Sequence, residues 1–126
     1  MVNHVAHNPW LVSYKANPQA RIRLFCFPHG GSGPQLFRDW YKELSEKIEL
    51  YVIQPPGRGN RLKELPYTQM KPLVNAIVKE LLPYMDKPFA FLGHSLGGLI
   101  CFEITRELRR LSSPIPIHLC IVSCRA

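Results

Sequence analysis

At 126 residues, with 46% apolar and 20% charged side chains, the chain has the balance of one globular domain and is too apolar for intrinsic disorder. Sixteen Lys and Arg against nine Asp and Glu give a net charge of +7, but the basic residues are scattered and lack the clustered stripe of a nucleic-acid surface. No stretch approaches the roughly eighteen apolar residues of a membrane span, and Met1 to Ala20 carries no secretion-signal pattern, so a soluble cytoplasmic protein is expected.

A lead-in containing Asn8-Pro9-Trp10 and Asn17-Pro18 precedes Arg21 to Phe27, an apolar, aromatic-rich run that suits a buried strand. The run stops at Pro28-His29-Gly30-Gly31-Ser32-Gly33-Pro34. A helix is predicted over about Gln35 to Lys47, where Leu36, Phe37, Trp40, Tyr41 and Leu44 recur at three- and four-residue spacings. Leu50 to Gln54 is the next predicted strand, closed by Pro55-Pro56-Gly57, and Arg58 to Pro66 reads as polar loop. A second helix is predicted over about Lys71 to Met85, with Pro72 tolerated in its first turn and Pro83 ending or kinking its last. Phe89 to Gly93 is the third strand and Leu96 to Leu111 the third helix, with an apolar stripe of Ile100, Ile104, Leu108 and Leu111. Pro114 and Pro116 break it, and His118 to Ser123 forms a fourth strand. Strands alternating with helices predict an α/β architecture, a parallel sheet with right-handed crossovers and helices on both faces. Such a sheet carries its site at the carboxyl ends of its strands.

The segment Phe89-Ala90-Phe91-Leu92-Gly93-His94-Ser95-Leu96-Gly97-Gly98 places G-x-S-x-G between that third strand and third helix, the layout of a nucleophile elbow. Ser95 is therefore the candidate nucleophile. A serine hydroxyl needs a base to take its proton and donors to hold an oxyanion. The backbone N–H of Leu96 is one candidate donor, aided by the positive end of the helix that starts there. Gly30, in the glycine-rich loop after the first strand, is the candidate for the second. His29 flanks that loop and is a candidate for substrate contact, beside the plainer reading of a side chain that holds loop backbone. No base is found by the same reasoning. His118 is expected roughly 17 Å below the strand ends, His94 should diverge from its neighbour Ser95, and Glu103 and Glu107 read as helix-surface partners of Arg106, Arg109 and Arg110. A serine hydrolase without its histidine loses roughly 10⁶ in turnover, so the chain alone is expected to be nearly inert. Cys26, Cys101, Cys120 and Cys124 lie in apolar segments without a C-x-x-C spacing and read as buried free thiols, with no metal or cofactor called for.

Several blocks carry a family resemblance: Asn8-Pro9-Trp10-Leu11-Val12, Arg23-Leu24-Phe25-Cys26-Phe27-Pro28-His29-Gly30-Gly31, Phe37-Arg38-Asp39-Trp40, Pro56-Gly57-Arg58, Pro88-Phe89-Ala90-Phe91 and Gly93-His94-Ser95-Leu96-Gly97. In order and spacing they resemble type II thioesterases, stand-alone α/β-hydrolases that accompany nonribosomal peptide and polyketide synthetases. The resemblance implies hydrolysis of acyl thioesters from the phosphopantetheine arm of an acyl- or peptidyl-carrier protein, with Ser95 as nucleophile and Gly30 and Leu96 as the oxyanion hole. It also implies that residues 1–126 are the N-terminal part of an α/β-hydrolase fold, a truncated thioesterase domain without the family's triad Asp, triad His and lid. Gly59 and Gly98 depart from the family's usual residues without threatening that chemistry. Two other readings stand beside this one: an esterase acting on small acyl esters, and a non-catalytic remnant that binds a carrier protein. An unpaired edge at Leu119 to Ser123 is expected to invite association.

Overall fold

The computed structural model describes residues 8–15, 17–28, 45–57, 61 and 63–122. In chain order these form β1 (Leu11–Lys15), β2 (Ile22–Phe27), β3 (Ile48–Ile53), α1 (Met70–Leu81), β4 (Phe89–His94), α2 (Leu96–Arg110) and β5 (His118–Val122). A short 3-10 turn, Leu82–Tyr84, follows α1, because Pro83 cannot continue the α-helical ladder. The sheet runs β1-β3-β2-β4-β5. Strands β3, β2, β4 and β5 are mutually parallel, as the alternation of strand and helix predicts.

Strand β1 was hidden in what reads as a lead-in. It pairs antiparallel with β3, Leu11 opposite Ile53, and a register shift between Ser13 and Lys15 interrupts it. The helix expected at about Gln35 to Lys47 lies outside the described residues except for its last three, which turn into β3 instead: Ile48 N–H donates to Ser45 O at 3.1 Å and Lys47 N–H to Ser45 Oγ at 3.1 Å.

Side chains alternate across the strands with period two. One face carries Phe25, Phe27, Tyr51, Ile53, Phe89 and Phe91 and packs against Val74, Ile77, Val78 and Leu81 of α1 and Ile100, Cys101, Ile104 and Leu108 of α2. Phe25 stacks on Tyr51 with ring centres 5.7 Å apart, and Phe27 meets Phe91 edge-on at 5.2 Å, geometries that add to simple burial. The opposite face buries Cys26, Leu50 and Val52 with Val12, Leu24 and Leu92. Both described helices lie on the first face, where they contact each other.

Polar groups tie the two ends of the sheet. At the amino ends of the parallel strands, Arg23 donates to Glu49 Oε1 at 3.1 Å, to the Tyr84 carbonyl at 2.8 Å, and to Asp86. At the carboxyl ends, Arg61 forks onto Glu64 at 2.9 and 2.8 Å, donates to Gln54 O at 3.0 Å, and lies 4.5 Å above the Trp10 ring. The thiol expectation holds for Cys26 and Cys101, which are buried, but Cys120 is exposed: it pairs with Leu92, on the face of the sheet opposite both described helices. Cys124 lies outside the described residues.

Candidate active site

Strand β4 delivers the chain to the carboxyl end of the sheet, and a single residue separates it from α2. That residue is Ser95, with φ 59° and ψ −118°, a conformation that costs a side-chain-bearing residue about 1–3 kcal/mol and persists only where surroundings enforce it. Two backbone hydrogen bonds do so here. Ser95 N–H donates to Val122 O of β5 at 2.8 Å, and Ser95 O accepts from Gly98 N–H at 2.8 Å. The side chain is exposed.

Three glycines let strand and helix fold back on each other. A Cβ on Gly97 would overlap the Phe27 carbonyl oxygen and stand 2.6 Å from its carbon. One on Gly93 would lie 2.7 Å from Cys101 Sγ, and one on Gly98 would lie 2.5 Å from Ile121 Cγ2. Gly97 thereby seats the first turn of α2 directly on the end of β2, where the chain leaves through Pro28 toward His29 and Gly30. Those two predicted site residues lie outside the described residues. Leu96 is the first residue of α2, so its N–H is among the four that an α-helix leaves without an internal partner. The start of this helix also concentrates positive partial charge beside Ser95.

The other titratable candidates are placed as follows. His94 shares its face of β4 with Ala90 and Leu92, opposite the helices. His118 pairs with Ala90 while Val122 pairs with His94; at four strand positions it lies roughly 13 Å below the elbow. Glu103 and Glu107 ion-pair with Arg106 at 3.3 Å and Arg110 at 2.6 Å, the surface role expected of them, and Arg110 holds the Glu107 carboxyl below its ordinary range. Burial raises the Cys26 thiol and pushes Cys101 up to about 11, so neither supplies a thiolate at neutral pH. Among the described residues no His, Cys, Asp and Glu group into a metal site, and no helix is long and apolar enough to cross a membrane.

A second feature of the same end was not legible beforehand. A cleft of about 530 Å³ opens between Trp10, Pro56, Arg61, Tyr67 and Pro72. Trp10 precedes Leu11, which pairs with Ile53, so this cleft lies level with Ser95 but on the far side of β2. Arg61 holds the Glu64 carboxyl below its ordinary range. Val122 and Ile121, which grip the elbow from β5, were also missed; the only sequence signal was that β5 follows α2 and must pair somewhere.

Residues 22–126 match the family model described as Thioesterase domain. Over 112 residues the chain is 43% identical to the gramicidin S biosynthesis protein GrsT of Aneurinibacillus migulanus, covering 89% of this chain and 44% of that protein. Among solved structures it is similar to RedJ, a thioesterase from the prodiginine pathway of Streptomyces coelicolor, with TM-score 0.77 and 38% identity over 84% of this chain and 40% of that one. It is also similar to BorB, a type II thioesterase from the borrelidin biosynthetic cluster, with TM-score 0.77 and 28% identity over 86% of this chain and 44% of that one. The chain thus spans less than half the length of the relatives it matches.

Proposed function

Because this chain belongs to the thioesterase domain family, we propose that Ser95 is an acyl-transfer nucleophile that removes acyl groups from the phosphopantetheine thiol of a carrier protein. The Ser95 Oγ adds to the thioester carbonyl while its proton passes to a base. The resulting oxyanion is held by the N–H groups of Leu96 and Gly30, the thiol departs, and water then cleaves the acyl-serine ester. His29 borders the same loop and contacts the substrate. The observation that carries this reading is the positive φ of Ser95 between β4 and α2, at an exposed position beside the amino end of a helix. Relatives named for gramicidin S biosynthesis and for the borrelidin biosynthetic cluster support the carrier-bound substrate.

Among the described residues, His94 and His118 do not supply the base from their places in β4 and β5, and the reading carries with it that the 126-residue chain by itself turns over at the residual rate of a serine hydrolase without its histidine. The test is a chimera in which this chain replaces the matched part of GrsT. It is expected to cleave an acylated carrier protein, and Ser95→Ala in it to lose at least about 10³ in rate. A Ser95→Ala chimera as fast as its parent would overturn the assignment. A chimera that cleaves only a nitrophenyl ester would place the activity with small esters instead.

A further inference from the structure

The cleft between Trp10, Tyr67 and the start of α1 has no role in the acyl transfer described above, yet its walls are fixed from several sides. Arg61 is 9% exposed and covers one face of the Trp10 ring at 4.5 Å, held there by Glu64 and by Gln54 O. Gly57, at φ 85°, lies so close to Pro66 that a Cβ on it would stand 2.7 Å from Pro66 Cβ, and its N–H donates to Arg61 O at 2.8 Å. The rings of Trp10 and Tyr67 are 6.0 Å apart and inclined at 55°. Pro56, Pro66 and Pro72 add walls with little backbone freedom left to lose. Walls set in advance cut the ordering cost of binding, and about 530 Å³ is within the range of ligand sites.

Among the described residues, the charged side chains on the cleft's lining are Arg61 and Glu64, which neutralise each other, so it suits an uncharged group. Its rings and prolines fit an apolar side chain, while the exposed Thr68 and Gln69 offer a hydroxyl and an amide to peptide bonds. Position sets the length. Leu11 pairs with Ile53, and Phe27 with Gly93, each one residue beyond the Cys26–Val52 pair. Leu11 and Gly93 therefore share a row that crosses three strand spacings, roughly 14 Å, with Trp10 and Ser95 just past its ends. An extended chain covers that distance in about four residues. We propose that the cleft is a substrate subsite for an apolar side chain, above all an aromatic one, about four residues from the thioester of an extended peptidyl group. Ser95 then acts on a peptidyl chain of that length ahead of a single aminoacyl unit. The span starts at Ser95 and so rests on the nucleophile reading above, whereas the cleft's affinity for such a side chain does not.

The test uses the chimera with GrsT and a carrier protein loaded, through the last residue, with acetylated Phe-Ala-Ala-Ala, Ala-Ala-Ala-Ala or Ala-Ala-Ala-Phe. The peptide led by Phe is expected to be cleaved with kcat/KM at least about tenfold above the all-Ala peptide. Tyr67→Ala should bring that ratio close to one, and Leu65→Ser, at a side chain 89% exposed and of no consequence for folding, should lower it in the same sense. A second measurement needs no turnover: calorimetry of the matching cysteamine thioesters on the Ser95→Ala chimera should give the same ratio in Kd. A Kd ratio that persists while the parent chimera cleaves none of the three would sink the nucleophile reading and leave the subsite standing. The proposal is overturned if the Kd ratio is close to one, if Tyr67→Ala leaves it unchanged, if Phe beside the thioester binds as well as Phe at the far end, or if a decanoyl thioester binds better than the peptide led by Phe.

Discussion

Arg23 and Glu49 face each other across β2 and β3, with Arg23 Nε 3.1 Å from Glu49 Oε1 and the two side chains 14% and 4% exposed. A buried carboxylate of this kind is tolerated because the guanidinium accompanies it. Removing the cation alone, as in Arg23→Met, leaves the charge uncompensated and should destabilise the fold by about 3–5 kcal/mol. The double substitution Arg23→Met with Glu49→Leu should recover much of that loss. Urea unfolding of the three proteins measures both, and a double variant no more stable than Arg23→Met would count against the pairing as described.

The same guanidinium hydrogen-bonds Asp86 and holds its carboxyl below the ordinary range. The folded state therefore binds the Asp86 proton less readily than the unfolded chain does. This stabilisation is complete above the unfolded value, about 3.9, and fades as pH falls below it toward the folded value. Asp86→Asn should lower the urea midpoint at pH 6 and converge with the parent near pH 2.5. An unchanged difference across that range would show that the carboxylate is not the source.

Alanine at Gly97 and at Gly98 should behave differently. The added carbon at Gly97 meets the backbone of β2, whereas at Gly98 it meets a side-chain methyl of Ile121 that can shift. Gly97→Ala should therefore cost about 1–3 kcal/mol as overpacking against fixed atoms and abolish catalysis in the chimera, with Gly98→Ala distinctly milder in both respects. Thermal melts and initial rates on an acylated carrier protein decide; equal effects would mean that the end of β2 gives way.

Ser95→Gly should be more stable than Ser95→Ala by about 1 kcal/mol, because glycine adopts a positive φ without steric cost. Neither variant can form an acyl-enzyme. Comparing their thermal midpoints isolates the backbone strain from the chemistry, and an Ala variant at least as stable as the Gly variant would show that the turn is relaxed.

Much of the architecture was readable because its signals are local. Phe89 to Gly93 is an apolar run closed by glycine, and the stripe Ile100, Ile104, Leu108 repeats at helical spacing, so β4, the elbow and α2 fall within a residue or two of their places. Strand β1 was not readable: Leu11–Lys15 is short, lies between two Asn-Pro pairs, and owes its existence to Ile48–Ile53, some forty positions along the chain. The end of α1 was placed late because Pro83 was allowed to kink the helix, where it instead sits in a separate 3-10 turn. The supports of Ser95 were hidden for the reason β1 was. Phe27, Ile121 and Val122 come from other strands, and only the sheet order brings them to the elbow. The exposure of Cys120 was likewise unreadable, since an outermost strand and an inner one can carry the same apolar letters.

The contact between Gly97 and the Phe27 carbonyl also constrains descent. With no room for one carbon against a main-chain oxygen that every residue type carries, no exchange of side chain at position 27 can make space for a larger residue at position 97. Position 97 should therefore stay glycine whatever side chain stands at 27, and a lineage that kept the hydroxyl but lost that glycine would retain an inert signature.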